Sequence, residues 1–382
     1  MLAGVRVIDF GSYITAPLAA MMLGDLGADV IKVERPGGDP FRRGHGDDYG
    51  PTFCAYNRNK RSIVLDPASE HDREALSALL TTADVLIDNI RLAGLKRLGL
   101  DPIKLKSEYP KLIHCSITGF GTSGPYAKRP AFDSVGQALS GIGSLLIDPA
   151  VPDSSGPTIS DTATGMYAVY AILGALYERE RTGFARRIEV NMLEASMAFI
   201  QDRFLDFTRA GNVSDRYTRP ARSQCFSFRC SDGRLFSIHL STTEKFWQAF
   251  LQALDDTSLA KDSRYATHRT RVAHYHSLSV DLARVISTHP RSFWLERLEQ
   301  FDVPFASINT VEETMSDPQV AALGTAIVMS HPVKGAITGI ACPVLSDGRR
   351  PTSHMRPAPM VGEHSEEIMN ETRRLAGAGH SK

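Results

Sequence analysis

The first 120 residues alternate between short runs of branched apolar residues and longer stretches with apolar positions three and four apart. That alternation suits a parallel sheet covered by helices and fits few other folds. Residues 4–35, "GVRVIDFGSYITAPLAAMMLGDLGADVIKVER", read as strand, helix, strand. Val5, Val7 and Ile8 open a buried strand, and Pro17 suits a first helical turn. Gly27 suits a helix stop, and Val30, Ile31 and Val33 resume as a strand. Further apolar runs at 62–65, 84–87 and 112–116 are spaced by helical patterns such as "EHDREALSALLTTA". The chain is therefore expected to be an α/β protein with a Rossmann-like parallel sheet.

Beyond this region, "PTISDTATGMYAVYAILGALYERERTG" predicts a long helix over about 162–181, and "RRIEVNM" alternates as a strand before a mixed helix to about 209. Residues 211–224, polar with Gly and Pro, read as a linker. Residues 225–325 change texture. "CFSFRCSDGRLFSIHL" predicts a hairpin turning at Asp232-Gly233, and the helices that follow carry Phe246, Trp247, Phe250, Phe293 and Trp294. The expected layout is a large domain over 1–210, a linker at 211–224, a smaller α+β domain at 225–325, and residues 326–382 returning to the large domain. The final "LAGAGHSK" is expected to fray.

Lys plus Arg and Asp plus Glu number 43 each. No bulk field recruits nucleic acid or a membrane, so an anionic ligand must be held by local clusters. Five cysteines, with only Cys225 and Cys230 near each other, lack zinc-ligand spacing and read as structural thiols of a reducing compartment. No metal site is expected. The N-terminus lacks a signal peptide's apolar core, and no run reaches membrane-spanning length. The expected location is the cytoplasm.

The first strand-to-helix turn, "DFGSYITAP", lacks G-x-G-x-x-G and holds only Gly11, which disfavours a nicotinamide or flavin dinucleotide. The Walker pattern is absent too. The second strand nonetheless ends at Glu34-Arg35, where an acid would meet a ribose or an arginine a phosphate. Basic and amide groups recur at other strand ends, in "NRNKRS" at 57–62, "DNIRLAGLKRLG" at 88–99 and "YAKRP" at 126–130. In a parallel sheet these ends line one crevice, where arginines give bidentate phosphate contacts. Asp161 stands apart. It precedes a buried helix, and no basic residue lies within fifteen positions. It, or Ser160, is expected to cap that helix. Small neighbours (Ser160, Thr162, Ala163, Thr164, Gly165) are expected to leave room for a substrate, while Met166, Val169, Leu173 and Leu176 anchor the helix. A carboxylate free of a salt bridge there is expected to stay ionised and to be able to attack a carbonyl.

Taken together, "LAGVRVIDFGSYITAP", "LGADVIKVERPGGD", "NRNKRSIVLD", "LIDNIRLAGLKRLGL", "ITGFGTSGPYAKRPAFDSVGQALSG" and "DTATGMYAVYAILGALYERERTG" resemble the class III CoA-transferases, a group that also includes α-methylacyl-CoA racemase. The late "SDPQV", "HPVKG" and "APMVGEH" fit as well, so the likeness spans essentially the whole chain. The resemblance implies a CoA-transferase acting on an acyl-CoA and a carboxylic acid, with the CoA thioester as substrate and no tightly bound cofactor. It places Asp161 on the family's catalytic aspartate, which takes the acyl group as a mixed anhydride and then carries CoA as an aspartyl thioester. By position it implies Arg35 at a phosphate, Leu65 beside the adenine, and Asn89, Ile90 and Arg91 along the nucleotide. Arg97 and Leu98 lie further out, Ile14 and Thr15 near the thioester, and Lys128 in the phosphate cluster. It also implies a homodimer of interlocked rings. Two departures matter. Phe132 stands in "RPAFDSVGQ" where the racemase branch has a histidine, and a phenyl ring cannot shuttle a proton. Ile14 stands where the formyl-CoA enzyme has a glutamine, and its glycine-rich loop has no counterpart here, which argues against an oxalate/formate pair. The alternatives left open are a racemase using another proton-transfer partner and a catalytically silent CoA-binding protein.

Overall fold

The computed structural model describes residues 1–43, 48–66, 69–154, 156–350 and 355–379. Within it the chain forms two compact units. The first comprises Met1–Gly143, Ser154–Gln201 and Ala322–Lys382, and the second Ser144–Asp153 and Asp202–Ala321.

The first unit is built on six strands: β1 (Arg6–Asp9), β2 (Asp29–Glu34), β3 (Lys60–Val64), β4 (Val85–Asp88), β5 (Ile113–Thr118) and β6 (Arg187–Asn191). They pair in the order β3-β2-β1-β4-β5-β6, and every pairing is parallel. Parallel strands buried on both faces need branched apolar residues on each, and β1, β2, β4 and β5 supply them. One face presents Val7, Val30, Val85, Ile87, Ile113 and Cys115 to α1 (Thr15–Asp25) and to the long helix Ile159–Thr182. The other presents Ile8, Ile31, Val33, Ile63 and Leu86 to α2 (Glu70–Thr81), to α3 (Pro102–Glu108) and to Ile368 of the helix Ser365–Gly379. That helix covers the stretch expected to fray as far as Gly379; residues 380–382 lie outside the described residues.

After β5 come α4 (Asp133–Ser140), α5 (Ile159–Thr182) and α6 (Met192–Phe199). The buried stripe of α5 is Ala168, Val169, Ile172, Ala175 and Leu176, with Leu173 partly buried. Met166, expected in that stripe, is 54% exposed, because the helix turns that position away from the sheet. Burying side chains such as Val169, Ile172 and Leu176 contributes about 1.5–3 kcal/mol each, so α5 is fixed by packing rather than by its caps. An antiparallel hairpin of Ala326–His331 and Gly335–Ile340 also belongs to this unit.

The second unit has an antiparallel sheet of β7 (Cys225–Arg229), β8 (Leu235–His239) and β9 (Phe305–Ser307). The β7–β8 turn carries Gly233 at φ +78°, as the Asp-Gly pair predicts. Phe226, Phe228, Phe236 and Ile238 pack on α7 (Thr243–Leu254), α8 (Tyr275–Ile286) and α9 (Arg291–Gln300) through Trp247, Phe250, Leu282 and Trp294. Residues Thr218–Ser223, within the stretch read as a linker, form a short helix.

Candidate active site

Parallel strands deliver their C-terminal ends to one edge of the sheet, and the first turn there runs from Gly11 to Thr15. It is tied down from both sides. Asn89, just past β4, accepts the Ser12 N–H at 3.0 Å. Its amide donates to the Ser12 carbonyl at 2.7 Å and to Thr15 Oγ1 at 3.2 Å. From below, Lys32 Nζ donates to the Gly11 carbonyl at 3.0 Å and Lys60 Nζ to the Pro17 carbonyl at 2.8 Å. Both lysines are fully buried around Asp9, at 3.6 and 2.7 Å, and Lys32 also pairs with Asp39 at 3.0 Å. Burial would raise the Asp9 carboxyl, but the two ammonium groups outweigh it and hold it below its ordinary value. Burial, with the like charge of Lys32, brings Lys60 down to about 8. The turn therefore rests on a closed polar network.

Asp161 meets this turn through α5. A Cβ at Gly165, one helical turn further on, would lie 3.1 Å from the Thr15 carbonyl and 3.0 Å from Leu18, so only glycine lets α5 come this close to α1. A Cβ on Gly136 would lie 2.5 Å from Met192 and 3.0 Å from Ser160, which brings α4 equally close to the start of α5. The small residues are thus packing contacts. Ser160, Ala163, Thr164 and Gly165 are buried, Ser160 Oγ accepts from Ser196 Oγ at 2.7 Å, and only Thr162 is open to solvent. The expectation that they leave room for a substrate is corrected by this tight helix crossing.

The capping role expected of Asp161 or Ser160 is not filled either. The helix begins at Ile159 after Thr158, whose side chain makes no cap, and Asp161 sits within the first turn. Its backbone N–H donates to Asp133 Oδ1 at 3.1 Å, so a carboxylate from α4 does the capping. Gln137, one turn along α4, donates to the other Asp133 oxygen and to the Pro157 carbonyl at 3.1 Å. Among the described residues the Asp161 carboxylate has no hydrogen bond and no ion pair. Only 8% exposed, it is pushed up to about 7 by burial first and by the charge of Asp133 second. The expectation that it stays ionised needs correction: near neutral pH it is divided between acid and carboxylate.

The remaining candidates fall into two groups. Arg35, Arg91, Arg97 and Lys128 are exposed, and among the described residues none makes an ion pair. Arg35 follows β2 and Arg91 follows β4, both on the edge that holds the first turn. The apolar and amide candidates face inward. Leu65 is 5% exposed within the core under α2, Ile14 and Thr15 are buried, and Leu98 and Ile90 are half-buried against the same core as Leu65. Ile90 N–H donates to Asp88 at 3.0 Å. Glu34, read as a ribose contact, is instead closed off. Arg42 binds it at 2.6 and 2.7 Å, Ser62 donates to it at 2.6 Å, and the Asp39 N–H does so at 2.9 Å. A cavity of about 700 Å³ lies at the opposite end of the strands. Arg6 and Arg61 pair there with Asp29 and Glu371, while Arg356 and Arg374 on the same lining make no ion pair among the described residues. Asp133 and Gln137 escaped the sequence reading. The signal was an acid and an amide four residues apart at a helix start.

A carboxylate of raised pKa beside a rigid strand-end turn suits attack on a carbonyl, with exposed arginines on the same edge. The family emerges from comparison with known proteins. The model of CoA-transferase family III matches residues 2–365. Succinate–glutarate CoA-transferase of Agrobacterium fabrum is 34% identical, over 97% of this chain and 95% of the relative. Human succinyl-CoA:glutarate CoA-transferase is 30% identical, over 98% of this chain and 86% of the relative. The solved structure of a CAIB/BAIF family protein from Brucella suis superposes with a TM-score of 0.85 at 33% identity, covering 97% of this chain and 98% of that one. The chain belongs to CoA-transferase family III.

Proposed function

We propose that this CoA-transferase moves CoA from an acyl-CoA to a carboxylic acid with Asp161 as the covalent carrier. One Asp161 oxygen attacks the thioester carbonyl, the carbon–sulfur bond breaks, and CoA thiolate leaves a mixed anhydride behind. Thiolate then attacks the aspartyl carbon, which releases the donor acid and leaves CoA on Asp161 as a thioester. The acceptor carboxylate attacks that thioester and forms a second anhydride. Thiolate closes the cycle by attacking the acceptor's acyl carbon, which frees Asp161. The cycle consumes no proton and needs no metal or cofactor; its energy stays in the acyl bond while water is kept out.

The observation that carries this reading is the buried, unpaired carboxylate of Asp161, one helical turn before the Gly165 that packs against Thr15. Arg35, Arg91, Arg97 and Lys128 are assigned to the CoA phosphates, since exposed cations without ion pairs are free to meet them. Ile14, Thr15, Leu65, Asn89, Ile90 and Leu98 are assigned to its walls through surface and backbone, their side chains being largely engaged within the chain. The exposed apolar side of α5, with Tyr170 at 76% and Tyr177 at 65%, supports a homodimer of interlocked rings. Among the described residues no helix is long and apolar enough to cross a membrane, and a cytoplasmic location accords with that. The named relatives act on succinate and glutarate, which makes their thioesters the first donors to try. Enzyme incubated with donor and quenched with hydroxylamine or borohydride is expected to carry a modification at Asp161. Normal turnover without that modification would remove the mechanism.

A further inference from the structure

Tyr13 stands at φ +64°, a left-handed backbone that costs a bulky side chain energy and suits glycine or asparagine. The turn around it holds it there. Ser12 is gripped on both backbone groups by Asn89, and the Gly11 carbonyl is fixed by Lys32. Strain kept in place by its surroundings points to a side chain whose direction matters. The direction is defined. The Tyr13 ring meets Phe41 edge-to-face at 5.1 Å and Phe132 edge-to-face at 5.6 Å. Phe132 directly precedes Asp133, the residue that accepts the Asp161 N–H. The pair therefore stands beside the reactive carboxylate and keeps apolar surface open, with Tyr13 38% and Phe132 58% exposed.

Two acids lie beside this surface. Asp133 and Asp161 are both acids, and among the described residues no cation pairs with either. A second carboxylate on the acyl tail would be repelled there, whereas an alkyl or aryl tail would cover two ring faces. We propose that Tyr13 and Phe132 form the wall that contacts the acyl tail, making them specificity-determining residues that favour an uncharged apolar tail over one ending in a carboxylate. This rests on the reading of Asp161 as the acyl carrier. It also sets the chain apart from the relatives named for succinate and glutarate.

The test uses the full chain with butyryl-, hexanoyl- and phenylacetyl-CoA against succinyl- and glutaryl-CoA. It reads hydroxylamine-trapped acylation of Asp161 and, in parallel, steady-state consumption of each thioester. Wild type is expected to favour the apolar donors. Tyr13→Gly, which removes the ring and relieves the backbone, lowers kcat/KM about tenfold on apolar donors and less than twofold on the others, a scale set by loss of one apolar contact. Phe132→Ala shifts the ratio in the same direction, and Tyr13→Phe, which keeps the ring, restores it. Equal losses on all five donors, or a wild-type preference for succinyl- and glutaryl-CoA, would overturn the wall. Loss of trapping at Asp161 with turnover intact would instead remove the carrier reading and leave the wall to be judged on the consumption ratios.

Discussion

Asp9 and Asp161 are both buried carboxylates near the same edge of one sheet, yet their surroundings drive them in opposite directions. Asp9 faces two lysines and the Gly11 N–H, and it is held as a carboxylate. Asp161 faces another acid, and it is pushed up to about 7. Desolvation opposes ionisation at both sites, so the difference lies in the partners. One acid is framework: it locks the strands and the turn above them. The other is left unsatisfied at a cost in stability, which accords with the carrier role proposed for it.

Removing each acid should therefore have opposite consequences. Asp161→Ala is expected to lower transfer by more than roughly a thousandfold, the scale of losing a covalent nucleophile, while calorimetry still detects CoA binding. Asp9→Ala is expected to lower stability by about 3–5 kcal/mol in urea unfolding, because two buried lysines lose their common counter-charge. Asp161→Asn should do the reverse. Its folded pKa of about 7 exceeds the ordinary 3.8, so the native state holds the proton more tightly and stability falls as pH rises between those values. The asparagine variant, which has no charge to bury, is expected to gain on the order of 1–3 kcal/mol at pH 8. At pH 4 it should gain almost nothing. Equal melting shifts at both pH values would refute the contrast.

The framework half of this comparison was the more legible in sequence. Branched apolar runs at 5–8, 30–33, 62–65, 84–87 and 112–116 could hardly be anything but buried strands, and five of the six sheet strands fall on them. Asp161 stood out as an acid without a local counter-charge. Its ionisation did not, because Asp133 approaches from 28 residues earlier and only the α4–α5 crossing brings them together. The small residues after Asp161 misled for a related reason: smallness marks close helix packing as readily as open space. Glu34 was misread because its partner, Arg42, lies beyond a turn of glycines and a proline that hides the pairing. Side chains that act across elements leave no periodic trace.

Asp133 is where the comparison can be sharpened. Its charge is the second cause of the high Asp161 value, so Asp133→Asn should move the acid limb of kcat/KM to lower pH, with burial keeping it above the ordinary carboxylate range. In wild type that limb should rise through about pH 7, since in the proposed mechanism only the carboxylate attacks and it is lost as pH falls. A profile of Asp133→Asn that coincides with wild type would leave burial as the sole cause.

The smallest effect belongs to the exposed cations. Arg35 lies on the same sheet edge as the turn but takes no part in the ion pairs beneath it, so its removal disturbs neither acid. Arg35→Ala is expected to raise the CoA dissociation constant about tenfold, the loss of one charge-assisted phosphate contact, and to change kcat by less than about threefold. Added salt should narrow the gap between wild type and variant, because an exposed contact is screened while the Asp9 cluster is not. An unchanged dissociation constant would shift the phosphate contact away from Arg35 and leave the edge to Arg91, Arg97 and Lys128. A matched fall in kcat would mean instead that Arg35 acts on the transition state, and the separation between a binding rim and a reactive floor would no longer hold.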